Sequence, residues 1–395
     1  MDKLLYVGYF TEDVIFEEVT KAGLSPSVAR QKFESAFIEE LLRNQQNSSE
    51  SIEIISCVPY NEHINVRPDC GEFNAKRIKY IWWKKNIFSF LNGFLNVHRQ
   101  VNDWYKRTQE DSRVILTYAT NPIMMPLLFR RKTKVITICS EVPRFRVMKA
   151  GLLSKIKKEY YHFLNERMDG YIYFSKQMEE VCNYHKKPVI VVEGMPKINA
   201  EKNLIEANTK KIEQIFYAGG MNVENGIMEL MEAFVGLNRN DVTLVLCGNG
   251  NISDKVKKYS DKYENIKYLG MLPNEQILRM EKESTILINP RKVDELLTRY
   301  SFPSKTFEYF CSGTACMMTR LAGIPEEYYG YCYVCDSSSA GTLQKDLEKV
   351  LNISQEERKQ KAREAYEFIL REKTAEKQTE KIINFLHSMC SVYKG

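Results

Sequence analysis

The sequence predicts an α/β protein made of two doubly wound parallel sheets, one in each half of the chain. Three observations carry this. Short, β-branched apolar runs alternate with longer helical patterns in two successive series. A polar segment without apolar period, Pro196 to Thr209, separates the series. A chain of 395 residues also exceeds what one hydrophobic core ordinarily serves.

In the first series the runs are Leu4–Val7, Ile52–Val58, Val114–Tyr118, Val135–Cys139, Gly170–Phe174 and Val189–Val192. They do not alternate with polar residues, as expected of strands buried on both faces. Between the first two, Ser27 to Arg43 carries Val28, Phe33, Phe37, Leu41 and Leu42 at helical spacing. The second series runs Gln214–Tyr217, Thr243–Leu246, Ile266–Leu269, Thr285–Ile288, Ala315–Met318 and Tyr331–Val334, with helices expected near 225–238, 253–263, 273–283 and 303–312. From Ser354 to about Tyr393 the pattern is helical and rich in opposite charges. The domains expected are thus 1–200 and 210–370, each Rossmann-like, with a final helical segment at 371–395. Two open sheets of this kind facing a central cleft suit a two-substrate reaction.

The opening Leu4-Leu5-Tyr6-Val7 reads as a strand rather than the core of a secretory signal. Apolar stretches such as Ile87 to Val97 fall short of the roughly 20 residues that cross a bilayer. The expectation is a cytoplasmic protein. Ten scattered cysteines fit free thiols in a reducing compartment, and the lone CxxC, Cys332 and Cys335, offers two metal ligands at best. His63, His98, His162, His185 and His387 show no metal spacing and read as structural or surface positions. Gly248 and Gly250 lack the third glycine of a dinucleotide fingerprint, which weakens a nicotinamide reading.

The formal net charge of +6 is uneven, because residues 76–158 hold 19 Lys/Arg against 4 Asp/Glu. Within that stretch, Lys76-Arg77-Ile-Lys79-Tyr-Ile-Trp82-Trp83-Lys84-Lys85 and Arg130-Arg131-Lys132 mix cations with aromatics. Such a face suits anionic lipid headgroups; a merely solvated surface is the alternative. No nucleic-acid-binding motif accompanies the charge, so nucleic acid is not expected as a partner.

The chemistry concentrates between Ile288 and Gly313. Pro303 fits the first turn of a helix and Gly313 its left-handed stop. A helix beginning near Ser301 to Lys305 would aim backbone N–H groups at a phosphate, with Arg291 and Lys305 adding charge. Glu308, one turn in, could accept two hydroxyls from a ribose.

Ser301-Phe-Pro-Ser-Lys-Thr-Phe-Glu-Tyr-Phe-Cys-Ser-Gly313, followed by Gly323-Ile-Pro-Glu-Glu-Tyr328, resembles the family 4 glycosyltransferases of bacterial capsule and exopolysaccharide assembly. Tyr217-Ala-Gly-Gly220, Asn225-Gly226 through Phe234, Leu246-Cys-Gly-Asn-Gly250 and Tyr268-Leu-Gly-Met-Leu272 are similar to the family's donor-domain strand ends in order and spacing. Ser140-Glu-Val-Pro143 and Val192-Glu-Gly194 resemble weaker N-terminal motifs. The resemblance implies a GT-B fold and a nucleotide-sugar donor, UDP-linked by preference. It also implies retention of anomeric configuration, no metal or other cofactor, and a final helix packed back on the N-terminal domain.

Carried across, it makes Glu308 the ribose ligand, places Ser304 and Lys305 at the diphosphate and counts Thr306 among the donor-binding residues. Backbone groups of Ser301, Phe302 and Pro303 match the donor-sugar loop; Gly270, Met271 and Leu272 match the loop beside the base; Gly219 and Gly220 match the first turn. Three positions depart from the pattern: Tyr300 replaces the first motif glutamate, and Gly220 and Asn225 replace two loop cations. Arg291 and Lys305 are therefore expected to offset the leaving-group charge. Glu141 is the candidate for positioning the acceptor, or else an ion-pair partner of Arg144 or Arg146. The expected acceptor is a lipid-linked oligosaccharide at the inner face of the plasma membrane. A nucleotide-sugar epimerase and a non-catalytic nucleotide-sugar-binding partner of another transferase are the alternatives.

Overall fold

The computed structural model describes residues 3–24, 27–45, 51–64, 67–74, 76–84, 86–108, 113–119, 123, 127, 133–142, 151–196, 212–293 and 296–391. Lys85, Arg130, Arg131, Lys132, Pro143, Arg144, Arg146, Tyr393 and nearly all of the polar segment after Pro196 lie outside the described residues. The chain forms two compact units: unit 1 holds residues 1–197 and 375–395, and unit 2 holds 198–374.

Unit 1 contains β1 (Lys3–Gly8), β2 (Ser51–Pro59), β3 (Cys70–Phe73), β4 (Lys76–Trp83), β5 (Arg113–Tyr118), β6 (Lys134–Cys139), β7 (Gly170–Tyr173) and β8 (Val189–Val191). They form one sheet in the order β3-β4-β2-β1-β5-β6-β7-β8, parallel except for β3 against β4. Leu4 and Tyr6 point to one face and Leu5 and Val7 to the other, and all four are fully buried. The first face is covered by helix Val28–Gln45, through Phe33, Phe37, Ile38 and Leu41, and by helix Ala375–Ser391, through Ile382, Phe385, Leu386 and Met389. Val28, expected on the apolar stripe, is exposed instead, at the helix's first turn.

The pair β3 and β4 was not expected. Lys76 to Trp83, which reads as a basic aromatic patch, is a strand between β2 and β3, with Ile78, Tyr80 and Ile81 buried. Arg77 and Lys79 lie on the face opposite Ile78 and Tyr80, and Lys79 pairs with Glu53 at 3.4 Å. Trp82 is half-buried and donates its Nε1–H to the Pro68 carbonyl at 2.8 Å. The tryptophans therefore belong to the sheet rather than to a free aromatic face.

Unit 2 contains β9 (Ile212–Ala218), β10 (Thr243–Cys247), β11 (Ile266–Gly270), β12 (Ser284–Asn289), β13 (Ala315–Thr319) and β14 (Tyr333–Cys335). Every pair is parallel, in the order β11-β10-β9-β12-β13-β14. This is a doubly wound Rossmann order whose direction of winding reverses between β9 and β12. The helical tail is broken at Lys373-Thr374: helix Gln355–Glu372 stays in unit 2, and helix Ala375–Ser391 belongs to unit 1. Among the described residues, no helix is long and apolar enough to cross a membrane.

Candidate active site

In an open parallel sheet a ligand finds room outside the strand C-termini where the winding reverses, because the connecting loops there diverge. In unit 2 that point lies between Ala218, ending β9, and Asn289, ending β12. The β9–β12 ladder stops at Leu287 opposite Phe216. Beyond it the Tyr309 hydroxyl serves both edges, donating to the Ile288 carbonyl at 3.3 Å and accepting the Ala218 N–H at 3.5 Å. Tyr309→Phe would strand these groups, and it is expected to cost unit 2 about 1–3 kcal/mol in chemical denaturation.

The loops after β9, β10 and β11 are laced together by their backbones. Gly219 N–H donates to the Cys247 carbonyl at 2.9 Å, and Gly248 N–H to the Gly270 carbonyl at 2.7 Å. Gly248 sits at φ +134°, and a Cβ there would meet the Gly219 carbonyl oxygen at 1.8 Å, so only glycine fits. Gly219, Gly220 and Gly270 thus stand along one rim. Met271 is highly exposed beyond it and Leu272 is half-buried.

Arg291 follows β12 directly. Its Nε–H donates to the Asn225 side-chain oxygen at 3.1 Å, and the Asn225 amide donates to the Gly220 carbonyl at 2.7 Å. The guanidinium is therefore docked onto the β9 turn, on the residue that stands where the resemblance expects a lysine. Burial lowers its pKa from the ordinary arginine value, opposed by Tyr217 and Glu224, yet arginine stays charged under any working condition. The Arg291 carbonyl accepts Ser337 Oγ at 3.0 Å, which fixes the backbone behind it.

Lys305, expected beside the diphosphate, is held in an ion cluster. Its ammonium lies 2.5 Å from Glu308 Oε2 and 3.5 Å from Glu281 Oε1. Burial alone would lower its pKa, but Glu308 and Glu281 outweigh that and raise it above the usual lysine value. Lys305 is thus the hub of a three-residue ion cluster. Glu281, wholly buried on helix Asn274–Glu283, is a member that sequence reasoning missed. Removing a hub of this kind from a buried pair costs about 3–5 kcal/mol, so Lys305→Ala should lower the midpoint of unit 2 unfolding before any kinetic effect is read.

The helix here runs Lys305–Cys311, so Pro303 precedes it rather than filling its first turn, and the Pro303 carbonyl accepts the Thr306 N–H at 3.0 Å. Gly313 sits just beyond its end at φ +71°, in the left-handed region. Ser304 is exposed, but Thr306 is fully buried with its hydroxyl 3.7 Å from Met318 Sδ. Thr306 therefore faces the core and offers no side-chain contact to a donor. Phe302 is buried against Phe307 and Tyr328, leaving only its backbone for a ligand, and Pro303 is buried beside it. Ser301 is half-buried, and a Cβ on Gly323 would strike its carbonyl at 2.2 Å, so the 321–324 turn props this loop.

Tyr300 is buried with the Arg299 guanidinium 5.6 Å from its ring centroid. Glu141, exposed, follows the end of β6 in unit 1. Cys332 and Cys335 are free and buried, and burial pushes both thiols up to about 12. Among the described residues, no three His, Cys, Asp or Glu side chains converge as a metal site.

Residues 198–368 match the family described as Glycosyl transferases group 1. Among solved structures, a sucrose-phosphate synthase from Thermosynechococcus elongatus is similar at 12% identity and TM-score 0.68, over 99% of this chain and 100% of that one. A structure described as trehalose-6-phosphate from E. coli bound with UDP-2-fluoro glucose is similar at 10% identity and TM-score 0.65, over 97% and 98%. An α,α-trehalose-phosphate synthase (UDP-forming) from Burkholderia xenovorans, in complex with glucose-6-phosphate, is similar at 10% and 0.63, over 98% and 100%. A comparison with curated proteins gave no sequence match. The family match thus lies within unit 2, and the fold of the chain is the one shared by GT-B glycosyltransferases.

Proposed function

We propose that this protein is a glycosyltransferase that moves a sugar from a nucleotide-sugar donor, UDP-linked by preference, to a lipid-linked oligosaccharide in capsule or exopolysaccharide synthesis. Transfer retains anomeric configuration and needs no metal. The observation that carries the donor site is Arg291, fixed by Asn225 at the point where the unit 2 sheet reverses its winding.

The acceptor hydroxyl bonds to the anomeric carbon as the bond to the diphosphate breaks, and its proton passes to the departing phosphate oxygen. Negative charge then builds on the diphosphate, where a preorganised cation lowers the barrier most. Arg291 supplies that charge. Lys305, already shared by two carboxylates, holds Glu308 in place for the ribose hydroxyls. The backbone of Ser301, Phe302 and Pro303 lines the sugar, and the Gly270–Leu272 loop borders the base. Glu141 orients the acceptor from unit 1. The UDP-2-fluoro glucose bound in one of the similar structures supports the choice of nucleotide.

Membrane contact is assigned to unit 1, with the tryptophans of β4 set aside. Helix Ile87–Arg107 exposes Phe88, Leu91 and Leu95 at spacings of three and four, while Val97, Val101 and Trp104 further along it are buried. An exposed apolar stripe within a basic stretch fits the surface of an anionic bilayer.

The donor reading is tested by thermal shift and donor hydrolysis against UDP- and GDP-sugars, with wild type beside Glu308→Ala. A UDP-sugar is expected to raise the wild-type midpoint and to lose most of that effect in the variant. If no nucleotide sugar binds wild type, the assignment fails.

A further inference from the structure

The carboxyl edge of the unit 1 sheet carries two cations that nothing in the donor chemistry uses. Tyr60 follows β2 and Lys84 follows β4, and the two strand ends are tied by Tyr60 N–H donating to the Trp83 carbonyl at 2.9 Å. The Tyr60 ring is in contact with two cations, the Arg67 guanidinium 4.3 Å from its centroid and the Lys84 ammonium 5.0 Å from it. Both charges are therefore no more than about 9 Å apart, held by the same aromatic ring.

Neither is neutralised: among the described residues, no carboxylate lies within ion-pair distance of Arg67 or Lys84. Glu62, the nearest acid in sequence to Tyr60, faces His63 at 4.0 Å. The loop bearing Arg67 is anchored, since the Pro68 carbonyl accepts Trp82 Nε1–H at 2.8 Å and the Asp69 carbonyl accepts Tyr80 N–H at 2.9 Å.

A third positive element adjoins them. Lys84 N–H donates to Ser89 Oγ at 2.7 Å, which folds Lys84 against the first turn of helix Ile87–Arg107. That turn holds no acidic residue and is capped by Asn86. Two unneutralised cations, a fixed aromatic support and the positive end of a 21-residue helix converge at the strand edge where open sheets take ligands.

We propose that Tyr60, Arg67 and Lys84 form a binding site for the phosphate or diphosphate group of the acceptor. The inference rests on the transferase reading above and deepens it: the acceptor is anionic at the end opposite its reacting hydroxyl, whether that anion is a lipid diphosphate or a soluble sugar phosphate. Arg67 supplies the bidentate fork and Lys84 the point charge.

Two readouts on the full chain test it. In the first, lysine reductive methylation is followed by mass spectrometry with and without inorganic pyrophosphate. Lys84 labelling is expected to slow several-fold with pyrophosphate, and Arg67→Gln should abolish the protection. Unchanged Lys84 labelling in the wild type would overturn the site, whatever the protein does with nucleotide sugars.

In the second, Arg67→Gln/Lys84→Gln is assayed with a polyprenyl-diphosphate glycan in vesicles and with glucose 6-phosphate in solution. The KM for the true acceptor should rise about tenfold or more, the loss expected for charge-assisted contacts. Acceptor-independent donor hydrolysis should stay at the wild-type rate. The arm that responds identifies the source of the phosphate, and no change in either arm overturns the proposal. Absence of donor hydrolysis in wild type would sink the transferase mechanism instead, and leave the labelling result to judge this site.

Discussion

Replacing Arg291 with alanine is expected to lower turnover by about 10²–10³-fold, the cost of removing one preorganised group that stabilises transition-state charge. The residue stands where the β9–β12 winding reverses, and its Nε–H is spent on Asn225, which leaves the two terminal nitrogens for the diphosphate proposed above. Arg291→Lys should recover only part of the rate. A lysine restores the charge but neither the fork nor the contact that aims it. Asn225→Ala should fall between wild type and Arg291→Ala, because it releases the guanidinium without deleting it. The measurements are turnover number and donor KM, with thermal unfolding to confirm that each variant is folded. Near-wild-type turnover for Arg291→Ala would remove this residue from the mechanism.

Deleting residues 375–395 is expected to abolish folding of unit 1 while sparing unit 2. Ile382, Phe385, Leu386 and Met389 all lie within the core that covers one face of the unit 1 sheet. Each fully buried apolar side chain of this size contributes roughly 1.5–3 kcal/mol, so four together rival the whole stability of a typical domain. The anchoring is also polar: Lys381 Nζ donates to the Val191 carbonyl at 2.7 Å, and the Gln378 amide to Glu193 at 3.3 Å. Limited proteolysis of the truncated chain should leave a protected fragment near 212–374 and degrade the rest. A milder probe, Leu386→Ala, should cost about 2–5 kcal/mol in unit 1. Equal protection of both units after truncation would refute this account.

The central unit 2 strands were legible because burial on both faces makes them near-continuous apolar runs, and all six strands fall within two residues of their expected place. The sixth starts late. Tyr331 closes a 3-10 turn, Glu326–Tyr331, and the strand begins at Tyr333. In unit 1, β4 escaped notice because three cations, Lys76, Arg77 and Lys79, crowd its first four residues, and such a run is hard to tell from a charged patch.

The site was legible only as far as sequence neighbours share a direction. Lys305 and Thr306 are adjacent, but successive helical residues point about 100° apart, so one reaches the ion cluster and the other the core. No motif announces Glu281, which meets Lys305 across 24 residues of chain. The docking of Arg291 on Asn225 likewise joins two strand ends 66 residues apart, and only the winding of the sheet brings them together.

The division of the chain also sets an order of events during synthesis. Unit 1 is left after residue 197 and completed only by 375–391, so unit 2 is an insertion within it. A ribosome therefore releases every residue of unit 2 before it releases the helix that closes the other core. The nascent first unit, with one sheet face bare, must wait through about 180 further residues, on the order of ten to forty seconds at ordinary elongation rates. During that interval the apolar surface later covered by Phe385 and Leu386 is a natural client for a holding chaperone, while every residue of unit 2 has already been made.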